Sequence, residues 1–278
     1  MSDFLTASQS LSFFAVNESD LSRLNIIQAG MLFLQGKEEL CDAVESTRGL
    51  GADEMWSNEN LYRHLLFLSN TYSNVTSSRM FIDVFFFRTA AMIPSDQRLI
   101  VMLDKPVPSA RPRESTMETV SGVINYTALV ADPRIAGMHH RKPPQLTQRI
   151  SHNLVTFFAA EAKASNGIGL MGHIPQALVE LVACAKHLGK AHIRGALTTG
   201  DKWIFLAVDL DSGGEGATYW ESEVVEWRTE DVATDVTIPV TSNRYDPAVI
   251  SGILSSWVLN SFSEFDGDQW FYKSPLST

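Results

Sequence analysis

The stretch from Leu154 to Asp209 constrains the fold of this chain more than any other. It opens with a short, nearly continuous apolar run, Leu154 to Ala160, which is typical of a central strand covered on both faces. The pattern then predicts an amphipathic helix over Pro175 to Leu188. Two further apolar runs, His192 to Leu197 and Trp203 to Asp209, are predicted to form a pair of strands. Strands that alternate with a helix in this way indicate an α/β fold.

An acid and a base stand at the polar end of the first strand. Glu161 and Lys163 are two residues apart, and residues at that spacing in a strand point to the same side of the sheet. Nowhere else in the sequence does an acid precede a lysine by two positions. A surface ion pair at a strand end would explain the two residues without any function. Their position before a loop and a helix makes them a candidate site.

Composition and charge limit the classes of function. The chain has 278 residues, of which 45% are hydrophobic and 19% charged, and these values are ordinary for a globular protein with a well-formed core. Its formal net charge of -10 argues against a surface that attracts nucleic acid or anionic membrane everywhere. Any contact with nucleic acid would therefore be local. One segment, Arg134 to Arg149, is rich in Arg, His and Lys and has no acid, and a solvated loop is its alternative interpretation.

Cysteine usage and hydropathy indicate an intracellular chain. Cys41 and Cys184 lie far apart in apolar, helix-like segments, as expected for buried thiols in a reducing compartment, and they have neither disulfide nor metal spacing. Met1 to Ser10 lacks a basic region followed by an apolar core, so we expect no secretory signal. The longest apolar stretch, Met80 to Ile93, is too short to span a bilayer. We therefore expect a cytoplasmic or nuclear protein with no membrane partner.

The remaining elements are predicted from apolar spacing and turn signals. Helices are expected over residues 19–34, with the apolar stripe Leu24, Ile27, Met31 and Leu34, over Lys37–Val44, from Ser57 to Tyr72 and over Pro247–Phe262. The apolar run Met80–Met92 suits either a buried helix or a strand, and we favour the helix. Strands are expected at Arg98–Leu103, ending at Lys105-Pro106, at Val120–Val130 and at Thr218–Trp227, with an exposed connection over Pro106–Glu114. We predict one domain over residues 1–278, with a core at about 57–210, a helical N-terminal extension over 1–56, and a C-terminal strand and helix over 211–278.

The central stretch resembles a known superfamily of nucleases. A strand that ends in Glu161-x-Lys163, a helix that contains Gln176, and the run Arg194 to Phe205 are similar to the PD-(D/E)XK superfamily, which has the restriction-endonuclease-like fold. The pattern Gly-x-Leu-Thr-x-Gly-x-x-Trp-x-Phe within that run resembles the fungal and crinkler-effector-like branches. The resemblance covers roughly Ser57 to Asp209. It implies an α/β core in which helices flank a mixed central sheet, with helical additions at the N- and C-terminal ends.

The resemblance implies metal-dependent hydrolysis of phosphodiester bonds. In such a site two carboxylates on neighbouring strands hold Mg²⁺, or Mn²⁺, and the ion activates a water molecule and neutralises charge on the phosphate. Glu161 would be a metal ligand, and Lys163 would position the water or stabilise the charge. Gln176 or Glu180 on the following helix would point back at the site. Glu59 on the preceding helix would complete the metal ligands.

One position departs from the superfamily pattern. The first carboxylate is commonly an Asp before a Tyr, a few residues after a glycine, but Gly122 is here followed by Asn125-Tyr126. Asn125 could bind a metal through its amide oxygen but brings no charge, and Asp132 lies too far along a strand to replace it. Two functions stay open. The chain could be a nuclease that binds nucleic acid, DNA in preference to RNA, through Arg134 to Arg149, or a catalytically degenerate nuclease fold that binds protein or nucleic acid. Many nucleases of this fold are homodimers, and the sequence leaves that question open.

Overall fold

The structure, a computed structural model, describes residues 10–52, 55–69, 75–141, 156–163, 169–228 and 245–276. These residues form a mixed 10-stranded sheet with α-helices on both faces, so the predicted α/β class with a mixed, helix-flanked sheet is confirmed. The strands are β1 (Ser10–Ser12), β2 (Ile26–Leu34), β3 (Arg98–Ala110), β4 (Thr119–Ala131), β5 (Thr156–Ala162), β6 (His192–Thr198), β7 (Lys202–Leu210), β8 (Ala217–Ser222), β9 (Val225–Glu226) and β10 (Phe271–Pro275). The helices are α1 (Glu18–Arg23), α2 (Lys37–Arg48), α3 (Asn58–Leu68), α4 (Val75–Met92), α5 (Pro133–Arg141), α6 (Ile174–Leu188) and α7 (Pro247–Leu259). Among the residues described, no helix combines the length and the apolar character that crossing a membrane requires.

The strand order places the two strands of the candidate site side by side. The path runs β1-β4-β5-β6-β7-β8-β2-β10, with β3 paired to β4 and β9 paired to β7. β4 is antiparallel to both β3 and β5, whereas β5 and β6 are parallel and are connected through α6. A parallel pair needs such a crossover, and its helix packs back onto the sheet. The chain therefore passes from the carboxyl end of β5, where the candidate site lies, directly into the helix that covers it.

Two apolar cores lie on the two faces of the sheet. On one face, called the α6 side, α6 and α1 pack on strand residues such as Leu129, Ile193 and Leu206. On the opposite face, called the α4 side, α2, α3, α4 and α7 pack on the sheet, and Phe205 and Trp257 are fully buried there. Because both faces are covered, the central strands are apolar along nearly their whole length.

The β3–β4 hairpin reverses its side-chain alternation at Asp104 and Asn125. Before Asn125, even-numbered β4 residues such as Ile124 face the α6 side, and after it odd-numbered residues such as Leu129 do so. Asp104, which lies opposite on β3, has a φ of 49°, an uncommon value for a residue other than glycine. Asn125 therefore does not follow the alternation of its strand, and its side chain contacts β5.

Several elements agree with the sequence predictions. Helices α2, α3, α4, α6 and α7 are present, and strands β4 to β8 lie where the apolar runs predict them. Ser57 caps α3, since its hydroxyl accepts a hydrogen bond from the amide of Asn60 at 3.4 Å. α6 has Pro175 in its first turn and ends before Gly189, whose φ of 61° is typical of a helix C-terminus.

The predicted helix over residues 19–34 is wrong beyond Arg23. Ile26–Leu34 form strand β2, which lies inside the sheet between β8 and β10. Asn25, at a φ of 55°, separates α1 from this strand. The N-terminal region is thus not a purely helical addition, because it contributes a strand to the central sheet. In the same region Cys41 on α2 is exposed, contrary to the expectation of a buried thiol, whereas Cys184 is buried.

Two predictions about strand ends and loops also need correction. β3 does not end at Lys105-Pro106 but continues through Pro106 to Ala110, so part of the expected exposed connection is a strand. Among the described residues β3 pairs only with β4, and an edge strand tolerates proline because its outer side needs no N–H donor. The first part of the basic segment Arg134 to Arg149 is helix α5 rather than a loop, and residues 142–149 lie outside the described part of the chain.

Candidate functional site

Glu161 and Lys163 form an ion pair at the carboxyl end of β5. Lys163 Nζ lies 2.9 Å from Oε1 of Glu161, and the side chains are 12% and 2% exposed, respectively. The neighbouring Ala160 and Ala162 face the α4 side, so Glu161 points to the α6 side. The pair is largely shielded from water and is not the exposed surface ion pair that would need no function.

Gln176 on α6 connects the ion pair to a second carboxyl group. Its Oε1 accepts a hydrogen bond from Lys163 Nζ at 2.7 Å, and its Nε2 donates to Oε1 of Glu161 at 3.0 Å. The same Nε2 donates to Oε1 of Glu180 at 2.8 Å. Gln176 and Glu180 are about one helical turn apart and lie on the same face of α6. The structure therefore brings both candidate helix residues, which the sequence offered as alternatives, to Glu161.

Asn125 on β4 contacts the ion pair from the neighbouring strand. Its Oδ1 accepts a hydrogen bond from the backbone amide of Ala162 at 2.9 Å, and its own backbone amide donates to Oε2 of Glu161 at 3.4 Å. Its side chain also hydrogen-bonds to the carboxylate of Asp104. Because a carboxylate can only accept, Nδ2 of Asn125 is the donor in that bond. We call Asn125, Glu161, Lys163, Gln176 and Glu180 the polar cluster.

Burial shifts the pKa values of both carboxyl groups in the polar cluster upward. Burial raises the pKa of Glu161, and the positive charge of Lys163 opposes the increase. Burial also raises the pKa of Glu180 well above its ordinary value of 4.5, and the negative charge of Glu161 raises it further. Glu180 therefore holds its proton more tightly than an exposed glutamate does, and in its protonated form it donates a hydrogen bond to Glu161. Lys163 places a positive charge beside the two carboxyl groups, and protonation of Glu180 reduces the repulsion between them.

His173 stands at the N-terminal end of α6 near Lys163. Partial burial lowers the pKa of His173, and the positive charge of Lys163 lowers it further. An imidazole with a lowered pKa is neutral at pH 7 and can accept a proton. Sequence reasoning missed His173, because no spacing in the sequence relates it to Lys163.

A second ion pair, between Arg79 and Asp104, lies next to Asn125. Arg79 on α4 makes two hydrogen bonds to Asp104, at 2.7 and 3.0 Å. These bonds are the main reason that the pKa of Asp104 is lowered, and the bond from Asn125 adds to the effect. An ionised Asp104 fixes the orientation of the Asn125 amide. The sequence contains no signal for this role, because the contact depends on the reversed alternation of the β3–β4 hairpin.

The structure does not bring Glu59 to the polar cluster. Glu59 lies in the first turn of α3, on the α4 side of the sheet, and forms an exposed ion pair with Arg63. Glu161, in contrast, points to the α6 side. Glu59 is thus separated from the residues that surround Glu161, contrary to the sequence-based expectation.

Comparisons with known proteins do not identify a family. No protein-family model matches the chain, and no curated protein matches it either. Function must therefore be inferred from the residues around Glu161.

The carboxyl groups of Glu161 and Glu180 are oxygen ligands of the type that a hard divalent cation binds. Mg²⁺ prefers carboxylate and amide oxygens; the Nε2 of Gln176 holds carboxyl oxygens of Glu161 and Glu180 close together, and the amide oxygen of Gln176 bonds to Lys163. A bound cation would also relieve the repulsion that raises the pKa of Glu180. Within the described ranges, no group of three or more His, Cys, Asp or Glu residues could hold a metal ion. Asn125 contacts Glu161 through its backbone amide and adds no negative charge to the cluster.

Proposed function

We propose that this chain is a Mg²⁺-dependent nuclease with a restriction-endonuclease-like core, and that Glu161 and Lys163 hydrolyse phosphodiester bonds of nucleic acid. One observation supports the proposal above all: side chains from three separate elements, β4, the end of β5 and α6, converge in the polar cluster. Burying several charged and polar groups together is costly unless each is paired. Buried carboxyl groups with shifted pKa values are more frequent at functional sites than elsewhere.

The order of elements along the chain supports the proposed core. Helix α4 is followed by β3, β4 and β5, then by α6, and finally by β6 and β7. The strands with Asn125 and Glu161 are neighbours in the sheet, and the helix that follows Glu161 carries Gln176. In the superfamily that the sequence resembles, two metal ligands on neighbouring strands and a residue of the following helix form the site. The same kinds of element contribute the polar cluster here.

Each side chain has a distinct part in the proposed reaction. The divalent cation, when bound, supplies an activated water molecule and offsets charge on the phosphate. Glu161 provides the carboxylate that binds the cation, and Lys163 attracts the phosphate group and stabilises the charge on its oxygens. Gln176 holds Lys163 and Glu161 in place through the two ends of its amide. The raised pKa of Glu180 favours its protonated form, which limits the negative charge in the buried cluster.

Nucleic acid is the substrate in this proposal, with DNA preferred to RNA. A net charge of -10 requires that the substrate be attracted locally. Arg134 is exposed at the start of α5, and the basic segment Arg134 to Arg149 would supply the local positive charge. A homodimer that acts in the cytoplasm or the nucleus is part of the same proposal.

Metal binding and cleavage by the purified chain test the proposal. Mg²⁺ and Mn²⁺ are titrated calorimetrically, and plasmid DNA, single-stranded DNA and RNA are offered as substrates. We expect Glu161→Gln to abolish metal binding and cleavage, and Lys163→Met to abolish cleavage while metal binding persists. Glu59→Gln, on α3, is the matched control for the loss of a carboxylate and should leave both activities intact. Cleavage that persists in both Glu161→Gln and Lys163→Met would refute the assigned site.

Asn125 favours a second candidate function, that of a catalytically degenerate nuclease fold that acts as an interaction module. Its amide oxygen is already bonded to the Ala162 amide, and it brings no charge to a carboxylate that is 2% exposed. In that case the chain would bind nucleic acid or protein without cleaving it. Saturable binding of labelled DNA by a wild-type chain that neither binds Mg²⁺ nor cleaves would support this second function.

A further inference from the structure

An N-terminal segment, Ser10–Val16, lies across the polar cluster. It consists of strand β1 and a 3₁₀ turn at Phe13–Ala15. The segment contacts β4, which carries Asn125, and α6, which carries Gln176 and Glu180. We call it the cover.

Strand β1 occupies the edge of β4 directly beyond the end of β5. It pairs Ser10 with Thr119 and Ser12 with Ser121, whereas β5 pairs with residues 126–130 of the same strand. β3 fills the opposite edge of β4 along both stretches, so β1 and β5 share one edge. The carboxyl end of β5 points toward β1. The cover therefore stands where the chain leaves β5, next to the ion pair.

Phe13 anchors the cover to the sheet. Its side chain is completely buried in the core of the α6 side, together with Val120 and Leu178. The ring lies directly on Gly122 of β4, where an added Cβ atom would come within 2.4 Å of the Phe13 ring. Only glycine permits this close approach. The buried ring stabilises the closed position of the cover.

Phe14 places a second ring over the ammonium group of Lys163. The distance from Lys163 Nζ to the ring centroid is 5.2 Å, within the range of a cation–π contact. Phe14 is nonetheless 66% exposed, so the ring is not held there by burial. The ammonium group that would meet a phosphate is thus contacted by Glu161, Gln176 and Phe14.

We infer that the cover is autoinhibitory: in the closed position it keeps substrate from Lys163, and it must move before a phosphate group can reach the site. The inference rests on the proposed nuclease function, because it concerns access to the same lysine. The cover is attached by a strand of 3 residues and by apolar side chains of one short segment, namely the buried Phe13 and Val16 and the partly buried Leu11. β1 also lies at one end of the strand order, so these attachments can be released while the other strands stay paired.

Chemical labelling of Lys163 tests the cover independently of activity. Acetylation by acetic anhydride is followed by mass spectrometry, and the rate at Lys163 is divided by the rate at the exposed Lys37. Phe14→Ala is expected to increase this ratio about fivefold, as the loss of one partly exposed cation–π contact predicts. Phe67→Ala, which removes an exposed ring from α3, is the matched control and should leave the ratio unchanged. An unchanged ratio in Phe14→Ala would overturn the inference.

A disulfide between β1 and β4 tests whether fixing the cover in its closed position reduces access to Lys163. Ser12 and Ser121 are paired across the two strands, and strands in a sheet lie about 5 Å apart, which suits a disulfide. Ser12→Cys and Ser121→Cys are combined with Cys41→Ser, which removes the exposed native thiol. Oxidation is expected to lower both labelling of Lys163 and cleavage, and a reductant should restore both. Equal labelling before and after oxidation would contradict the inference.

The experiments distinguish between failure of the autoinhibition inference and failure of the nuclease proposal. If labelling responds to both changes while no variant cleaves nucleic acid, the cover controls access to Lys163 and the nuclease proposal fails. If the wild-type chain cleaves with dependence on Glu161 but neither Phe14→Ala nor the disulfide changes labelling or cleavage, the nuclease stands and the cover is not autoinhibitory.

Discussion

The backbone amide of Ala162 donates a hydrogen bond to the side chain of Asn125 at 2.9 Å. A side chain of β4 thus takes the place of a main-chain acceptor for β5 at this point. The other end of the same amide bonds to the carboxylate of Asp104. Asparagine can accept at one end and donate at the other, whereas aspartate can only accept. The hydrogen bonds of the hairpin therefore give Asn125 a structural role besides any role in catalysis.

Asn125→Asp is expected to make the stability of the chain depend more strongly on divalent cations than that of the wild type. The new carboxylate would lie beside those of Asp104 and Glu161, and like charges so close together destabilise the folded state. Without metal we expect a loss of about 1–2 kcal/mol, which lowers Tm by roughly 2–8 °C. Mg²⁺ at ten times its Kd would restore about 1.4 kcal/mol. Thermal unfolding in EDTA and in Mg²⁺ measures the effect, and we expect Mg²⁺-dependent cleavage to rise in parallel.

Asn125→Ala separates the effect of charge from the loss of hydrogen bonds. It removes the acceptor for Ala162 and the donor to Asp104 but adds no carboxylate. We expect a loss of stability that Mg²⁺ does not restore. A thermal shift with Mg²⁺ that is the same in wild type, Asn125→Ala and Asn125→Asp would contradict the predicted metal site.

Lys163→Met should destabilise the chain more than its combination with Glu161→Gln. The single variant leaves a carboxylate that is 2% exposed without its charged partner, and breaking a buried ion pair typically costs about 3–5 kcal/mol. The double variant removes both charges and keeps an oxygen that can accept from Gln176, so we expect a smaller loss. Urea unfolding of the four proteins gives the coupling free energy. Strictly additive losses would show that the two side chains do not interact in solution.

Helix α6 was predictable because its signals are local. Apolar residues recur at helical spacing, Pro175 stands in the first turn and Gly189 follows the last. Strand β2 was not predictable in this way, because Ile27, Met31 and Leu34 fit a helical spacing equally well. Parallel pairing with β8, a contact between distant parts of the chain, makes this stretch a strand.

Within the polar cluster too, local patterns predict some contacts, whereas other contacts depend on distant parts of the chain. Glu161, Lys163 and Gln176 were predictable as neighbours, because a strand end and the helix that follows it place them together. The contribution of Asp104 depends on its φ of 49° and on the reversed hairpin, which no local pattern encodes. The contact of Phe14 with Lys163 likewise depends on the pairing of β1 with a distant strand.

Gln176→Met is expected to destabilise the folded chain by about 2–5 kcal/mol. The side-chain amide of Gln176 hydrogen-bonds to Lys163, Glu161 and Glu180. Its loss leaves buried polar groups without these hydrogen bonds, each at a cost of about 1–3 kcal/mol. Leu178→Met, at a fully buried position of the same helix, is the matched control and should cost less than about 1.5 kcal/mol. Urea unfolding compares the two. A loss in Gln176→Met no larger than that of the control would show that the hydrogen bonds do not form.

Glu180→Gln should change the pH dependence of stability above pH 4.5. Burial raises the pKa of Glu180 in the folded chain well above 4.5, so above that pH the unfolded chain loses a proton that the folded chain retains. The free energy of unfolding therefore falls as the pH rises toward the folded pKa, by up to about 1.4 kcal/mol per pH unit. Gln keeps an oxygen that accepts from Gln176 and cannot ionise, so the variant should lack this loss.

Urea unfolding from about pH 4 to about pH 8 in EDTA tests the role of Glu180. The difference in unfolding free energy between Glu180→Gln and wild type is expected to be smallest at about pH 4. As the pH rises, the variant should become more stable relative to the wild type. The difference in unfolding free energy should become constant above the folded pKa of Glu180. Glu59→Gln is the control for the loss of one carboxylate at an exposed position on the other side of the sheet. A difference for Glu180→Gln that does not change with pH would mean that Glu180 ionises in the folded chain as it does in the unfolded one, and the hydrogen bond from Glu180 to Glu161 would then be absent.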